Sequence, residues 1–443
     1  MDARAVVRWG IGHGLVRLAL ERARRSGDLH ARSVLDAEAR ADPYPLCDEV
    51  RARGPLVRGR LAHLTASHAV VTEVLRSDDF RAGVDEEAFP RPMRALARWA
   101  RDPRVVGPID PPSLLVVEPP DHTRYRRLVS RVFSARAVEG LRGDVERVAD
   151  ELLDDLAGAG PGTPVDLVQA YATLLPVTVI AHVLGVPRSE RHTVLAFGEQ
   201  AAPSLDVALS FGQFRRVDAG IRGFNAWLAA HLDRLREQPG DDLLSQLVTV
   251  EDDGRRLTGL ELRATAGLLL AAGFETTVNL LSSGTELLMR RPEQLALLRD
   301  DPQLWPAAVE ETLRYESPVQ VTARFAVRDT EVAGRRVGAG GLVVTMLGGA
   351  NRDPAVFRDP DLFDVRRPNA KDHLSFSSGR HFCLGAALAR LEGEVGLRRL
   401  FERFPDLQPA GPGRRRPTRV LRGWETLPVR TGRDARAAAR TSA

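Results

Sequence analysis

The stretch from Thr258 to Pro292 limits the possible folds more than any other part of the chain. Thr258 followed by Glu261 is a capping box, apolar residues then recur at helical spacing through Met289, and Pro292 closes the run. At about 1.5 Å per residue, such a helix crosses a whole domain. The rest of the chain must be built around it. Its middle is chemically odd. An apolar run from Leu268 to Phe274 leads into Glu275, Thr276 and Thr277, so a carboxylate and two hydroxyls stand where packing calls for aliphatics. Gly273, just before them, costs a helix interior about 1 kcal/mol relative to alanine. Two readings remain open at this point. The hydroxyls bond back to carbonyls one turn earlier with Glu275 on a solvated face, or the cluster serves a ligand.

Outside this helix the pattern is mainly α with a smaller β portion. Val145 to Leu156, Val177 to Leu184, Phe224 to Leu235 and Pro306 to Tyr315 place apolar residues three or four apart, as helices do. Leu56 to Thr65 and Val319 to Leu347 read as strands, the latter broken by turn chemistry at Ala333-Gly334 and Gly338 to Gly341. With no internal repeat and no linker before Arg430, residues 42–430 read as one domain. Residues 1–41 are then an N-terminal basic amphipathic extension, and residues 431–443 an Arg/Ala-rich disordered tail.

Charge and cysteine content exclude several classes. The net charge is only +4, almost all positive charge is arginine because Lys371 is the sole lysine, and aromatic residues make up 5%, which argues against nucleic-acid binding. Two cysteines far apart, Cys47 and Cys383, cannot form a disulfide framework or a multi-cysteine metal site, and they suit a reducing, cytoplasmic setting. The first twenty residues are apolar but interrupted by Arg8, His13 and Arg17, so they form neither a transmembrane anchor nor a secretory signal. Packing on the protein's own body is the favoured place for that helix; a peripheral position on a membrane or on a partner is the alternative.

A second cluster decides between the readings of the first. Residues 373–390 read HLSFSSGRHFCLGAALAR, a Ser/Gly-rich loop running into an apolar helix with Cys383 just ahead of it. Helix N-terminal amides favour a thiolate there. Gly379 and Gly385 let backbone approach a flat ligand, Phe376 shields the sulfur, and His381 adds a donor.

The spacing Phe376-x-x-Gly379-x-His381-x-Cys383-x-Gly385 resembles the haem loop of the cytochrome P450 superfamily. Further landmarks follow in order: the Glu311-x-x-Arg314 pair with Arg367 in FDVRRPN, the run Ala272 to Thr277 (AGFETT), and Glu118 to Arg127 (EPPDHTRYRR). Together with VVRWGIGHGLVRLAL, GFETTVNLL and VLRGWETLPV, these are similar to the actinobacterial family numbered 140. Ser377 and Arg380 depart from the commonest loop pattern without touching the cysteine.

The resemblance implies a P450 fold holding haem b (iron protoporphyrin IX) with Cys383 as its axial thiolate, which favours O–O cleavage over oxygen carriage. It implies that His122, Arg126, Arg324 and His381 pair the haem propionates, and that Glu311, Arg314 and Arg367 close a buried structural network. Thr276, at a kink beside Gly273, and Glu275 would deliver protons to O2. Leu268, Ala271, Ala272, Gln320, Val321 and Thr322 would line a pocket for a mostly hydrophobic guest of lipid, terpenoid, steroid or polyketide/macrolide type. The segments from Arg81 to Leu115, with Phe89, Met93 and Trp99, and from Phe197 to Phe214 would cover it as a lid. Because no Gly-rich dinucleotide turn is present, electrons from NAD(P)H would arrive through a reductase and a ferredoxin docked on Arg124, Arg127, Arg131, Arg380 and Arg390. A peroxide-using enzyme and a non-catalytic gas-binding protein are the rivals; neither needs Glu275 and Thr276.

Overall fold

In the computed structural model, which describes residues 2–84, 90–102, 105–160, 162–249, 251–252, 255–432 and 434, the capping box forms as its residues dictate. Thr258 N–H donates to Glu261 Oε2 at 2.7 Å and Glu261 N–H donates to Thr258 Oγ1 at 3.3 Å. The helix then runs from Gly259 to Met289 as one α-helix, about 46 Å long at 1.5 Å per residue. Its length and apolar composition would allow it to cross a membrane, but most of it is buried in protein. The α-helical assignment continues through Gly273 without a break. A Cβ there would lie 2.8 Å from Ile180 Cγ1, so the glycine lets the helix press against Leu174–Val183. Gly284 and Gly393 serve similar contacts with Leu397 and Leu280, seating the helix Ala386–Arg403 on the other side.

The four helices read from periodicity lie within Arg142–Gly158, Leu174–Val183, Phe211–Glu237 and Trp305–Tyr315. The β portion centres on a five-stranded sheet in the order Val57–Arg58, His63–Thr65, Leu342–Met346, Val321–Ala326, Phe80–Arg81. Leu342–Met346 runs parallel to His63–Thr65 and antiparallel to Val321–Ala326, with Val343 opposite Arg324. This register fixes which side chains of the second strand share a face.

The N-terminal segment is helical from Ala3 to Trp9 and from Leu15 to Arg24, with a wider π turn between. It is packed on the body: Arg8 reaches Asp218 at 3.0 Å and Trp9 Nε1 donates to Leu209 O at 2.9 Å. The tail expected to be disordered lies almost wholly outside the described residues, as does Phe89; Asp434 is described and pairs with Arg403 at 2.6 Å.

Two buried charge systems stand out. Arg314 and Glu311 are fully buried, and every N–H of the Arg314 guanidinium has an acceptor: Glu311 Oε2 (2.7 Å) and Oε1 (2.8 Å), and the carbonyls of Asn351 (3.0 Å), Pro360 (2.9 Å) and Leu362 (3.0 Å). Arg367 adds a 3.2 Å bond to Glu311 Oε1 and caps the carbonyls of Arg358, Asp359 and Leu362. Glu392, by contrast, is fully buried beside Thr277 with neither oxygen in an aligned hydrogen bond. Burial pushes its carboxyl well above the usual carboxylate range. The folded form therefore keeps a proton that the unfolded chain releases. Its contribution is intact below the unfolded pKa of about 4.3 and is lost as pH rises toward the folded value, by up to about 1.4 kcal/mol per pH unit. Glu392→Gln is expected to leave the urea midpoint nearly unchanged near pH 4 and to raise it at pH 8.

Candidate functional site

The loop before Ala386–Arg403 is shaped by two residues in the left-handed region, Ser377 (φ 64°) and Gly379 (φ 70°). Gly379 is required by packing as well as by conformation, since a Cβ would meet Leu75 O at 2.5 Å. Gly385 is different: nothing lies within 4 Å of where its Cβ would stand. Cys383 N–H donates to Phe376 O at 2.9 Å, fixing the cysteine backbone, while the Phe376 ring carries the Arg390 guanidinium 4.6 Å from its centroid. Cys383 is exposed although protein surrounds it closely, so it faces an internal gap. Burial pushes its thiol up, and the Gly385 N–H, Arg126 and Arg390 draw it only partly back. Cys47 is the other free cysteine, buried against Leu46 and Val50 with its thiol pushed up to about 12 by burial.

The four residues expected around the propionates come from three segments. His122 and Arg126 lie on the helix Asp121–Ser130, Arg324 on Val321–Ala326, and His381 in the loop. His122 and His381 meet edge to face at 4.6 Å between ring centroids. His122 is buried with Nε2 unpartnered, and burial, then His381 and Arg126, draws its pKa down to about 4. Arg324 is 5% exposed, donates to Thr322 Oγ1 (3.1 Å) and Ala323 O (2.8 Å), and is pulled down to about 10 by burial. Neighbouring Glu118 is already engaged: His381 (3.3 Å), Arg380 (3.0 Å) and the Ala82 N–H (2.7 Å) bond to it. They outweigh its burial and hold it down at about 2. A buried guanidinium without a bonded carboxylate beside an unpartnered imidazole fits a ligand bearing carboxylates. Among the described residues no three His, Cys, Asp or Glu side chains cluster as a metal site. A metal on Cys383 would therefore bring its own equatorial ligands, as iron in a porphyrin does.

On the long helix, Leu268, Ala272 and Thr276 stand one above another at intervals of four. Ala272 is exposed while Leu269, Leu270, Phe274 and Glu275 are buried, which leaves an open apolar stripe flanked by half-buried Ala271. Thr276 Oγ1 donates to Ala272 O at 3.2 Å, the back-bonded arrangement. Glu275 is not on a solvated face. It is 3% exposed, its oxygens lack aligned hydrogen bonds, and the nearest cation is Arg416 at 3.1 Å. Burial raises its carboxyl and Arg416 opposes that rise.

The family description Cytochrome P450 matches residues 222–418. A cytochrome P450 140 of Mycobacterium tuberculosis is 56% identical over 427 residues, covering 96% of this chain and 97% of the relative. The chain is a cytochrome P450. The 6-deoxyerythronolide B hydroxylase of Saccharopolyspora erythraea is 44% identical over 317 residues, 71% of this P450 and 76% of the relative. Among solved structures, the Bacillus subtilis bacillaene polyketide synthase P450 PksS matches with TM-score 0.79 and 32% identity, covering 89% of this chain and 98% of the other.

As a P450 it uses haem held by a cysteine thiolate, and Cys383 is the cysteine facing the gap. Two of the residues expected in the pocket also have neighbours elsewhere in the fold. Strand alternation turns Val321 toward Leu64, Val344 and Met346, and Gln320 donates to Ser317 O at 2.7 Å beside Cys47. The arginine patch is also smaller than expected, because Arg124 pairs with Glu261, Arg380 with Glu118 and Asp78, and Arg390 with Glu310. Sequence reasoning missed Arg416 and Glu118. Arg416 sits in the run GRRRP, where nothing marks one arginine for the interior.

Proposed function

We propose that this P450 monooxygenase hydroxylates a C–H bond of a mostly hydrophobic small molecule of polyketide or macrolide type, with electrons from a ferredoxin and its NAD(P)H-dependent reductase. The observation that carries the monooxygenase reading at residue level is Glu275: a buried carboxyl group paired only with Arg416 and without an aligned hydrogen bond, next to Thr276 on the open stripe. A peroxide-driven enzyme or a gas-binding protein has no use for such a proton donor. The substrate class is supported by the small apolar stripe Leu268, Ala271, Ala272 and by the relatives whose names specify polyketide chemistry.

When bound, haem supplies O2 activation and C–H cleavage. The chain's own residues do the rest. Cys383 would hold the iron; His122, Arg126, Arg324 and His381 would orient the propionates. Thr276 could exchange its Ala272 carbonyl bond for one to a water, and Glu275 could pass protons to that point from the Arg416 side. Leu268, Ala271, Ala272 and Thr322 position the guest. The exposed Arg131 remains the part of the patch best placed for an acidic ferredoxin. Two free cysteines suit the cytoplasm.

The test is turnover with a surrogate ferredoxin pair, reduced nicotinamide cofactor and 18O2 against a macrolide and polyketide library. Product carrying one labelled oxygen is expected. Product formed only with added peroxide, or no guest-induced Soret shift across the library, would contradict the proposal. Arg324→Ala is expected to speed haem loss to apomyoglobin by about 10- to 100-fold, since one hydrogen bond between charged groups contributes about 1.5–3 kcal/mol.

A further inference from the structure

We infer that the outer face of the N-terminal helices, with Leu96 and Trp99 of the helix Arg91–Ala100, is a docking surface for an anionic lipid bilayer. The inner face is fully engaged. Arg8 donates to Ala100 O (3.0 Å) and bridges to Asp218 on Phe211–Glu237, and Trp9 packs on Phe211 at 5.4 Å. His13 lies 5.6 Å from Phe214, and Leu20 and Ala23 are buried against Val34 and Ala208.

The outer face carries a different set of residues. Leu15 and Leu18 are 56% and 49% exposed, and Arg22 and Arg25 continue the same stripe at helical spacing. Of the other charges on Leu15–Arg24, Arg17 pairs with Glu21 and Arg24 with Asp36, whereas Arg22 and Arg25 have no ion-pair partner among the described residues. The exposed face is therefore two leucines followed by two uncompensated cations. At the other end, Arg4 lies 5.6 Å over the Trp99 ring, and Trp99 and Leu96 are 48% and 43% exposed.

Single exposed leucines need no explanation, but Leu15 and Leu18 followed by Arg22 and Arg25, on a helical segment whose first part packs against the helix carrying exposed Leu96 and Trp99, do. The occupant follows from apolarity and charge. The face offers exposed leucines beside two cations without an ion-pair partner among the described residues, a combination that calls for a partner both apolar and anionic. Leucine and tryptophan that dip into the acyl boundary, with arginine stems snorkelling to phosphate, match the interface of an anionic bilayer. The helix Phe211–Glu237, to which Arg8 is bonded, is in turn tied to the expected lid segment: Arg222 ties Asp218 to Asp102 (2.9 and 2.6 Å), and Asn225 exchanges two bonds with Val106. If the substrate reading above holds, docking turns the mouth of the pocket toward the phase where an apolar guest dissolves. The docking surface itself does not depend on that reading.

The experiment is co-sedimentation of full-length haem-loaded protein with large vesicles of phosphatidylcholine alone or mixed equally with phosphatidylglycerol, at low salt and about 0.5 M NaCl. Binding is expected only with phosphatidylglycerol, weakened about tenfold by salt. Leu15→Ser/Leu18→Ser and Arg22→Glu/Arg25→Glu should each reduce partitioning about tenfold while keeping the melting temperature and the reduced-carbonyl spectrum. Equal binding to neutral vesicles, no sedimentation with either, or unchanged binding in both variants overturns the inference. So does a dimer that the leucine variant dissolves in the absence of vesicle binding, which would assign the face to a second copy. The lipid and salt arms use unaltered protein, so they stand even if a variant fails to fold.

Discussion

Glu311→Ala is expected to lose about 3–5 kcal/mol of stability, because it strands a guanidinium that the fold has removed from water. Arg314 is fully buried and Arg367 nearly so, and both rely on the same carboxylate. Against a total of about 5–15 kcal/mol for a typical folded chain, this is a large share. The damage should also reach the haem loop along a specific route. Ser375 Oγ, one residue before Phe376, donates to Leu313 O (2.7 Å) and accepts from Asn351 Nδ2 (2.8 Å) and Ser317 Oγ (2.8 Å), and Leu374 N–H bonds Asn351 Oδ1 (2.7 Å). The helix bearing Glu311 and Arg314 thus sets the position of the carbonyl to which Cys383 N–H donates. The check is a urea titration with haem content measured in parallel. A midpoint within experimental error of the parent, at full haem loading, would show that the network contributes little. Arg314→Lys should retain part of the stability, because it keeps charge but not the five-donor fork.

The second large effect is on activity. Glu275→Gln is expected to slow product formation about 10²- to 10⁴-fold, the usual contribution of a positioned proton donor, with little change in guest binding or in the carbonyl spectrum. Gln matches Glu in size but cannot carry a proton to Thr276, while Glu275→Asp keeps the acid on a shorter arm and should recover part of the rate. The measurement is product formed per reduced nicotinamide cofactor consumed, in H2O and in D2O. Equal yield and rate in the parent and the Gln variant would place proton delivery elsewhere, with buried Glu392 beside Thr277 the next candidate.

Those two sites differ in how far the sequence revealed them. The long helix was legible because a capping box, an uninterrupted apolar period and a closing proline all agree. The Cys383 loop was legible because its residue types recur at a fixed spacing. Packing was not: Gly273 suggests a kink from propensity alone, yet its cause is Ile180 on another helix. The faces of the strand Val321–Ala326 were also hidden, since Val321 and Thr322 are both β-branched or small and only pairing with Leu342–Met346 decides which turns inward. Charge partners were the least visible. Arg390 and Arg124 read as members of a basic surface until Glu310 and Glu261, distant in sequence, are brought beside them. Glu275 and Arg416 meet for the same reason, through the C-terminal hairpin near Trp424.

The claim on which the account rests is that the Cys383 sulfur, as a thiolate, is the protein's bond to haem iron. It is tested most directly by the absorbance of the dithionite-reduced carbonyl complex of the parent and of Cys383→His, which keeps an axial donor but removes the sulfur. The account predicts the long-wavelength Soret band of thiolate ligation in the parent and its loss in the variant, with haem still bound. A parent without that band, or a variant that retains it, would contradict the account.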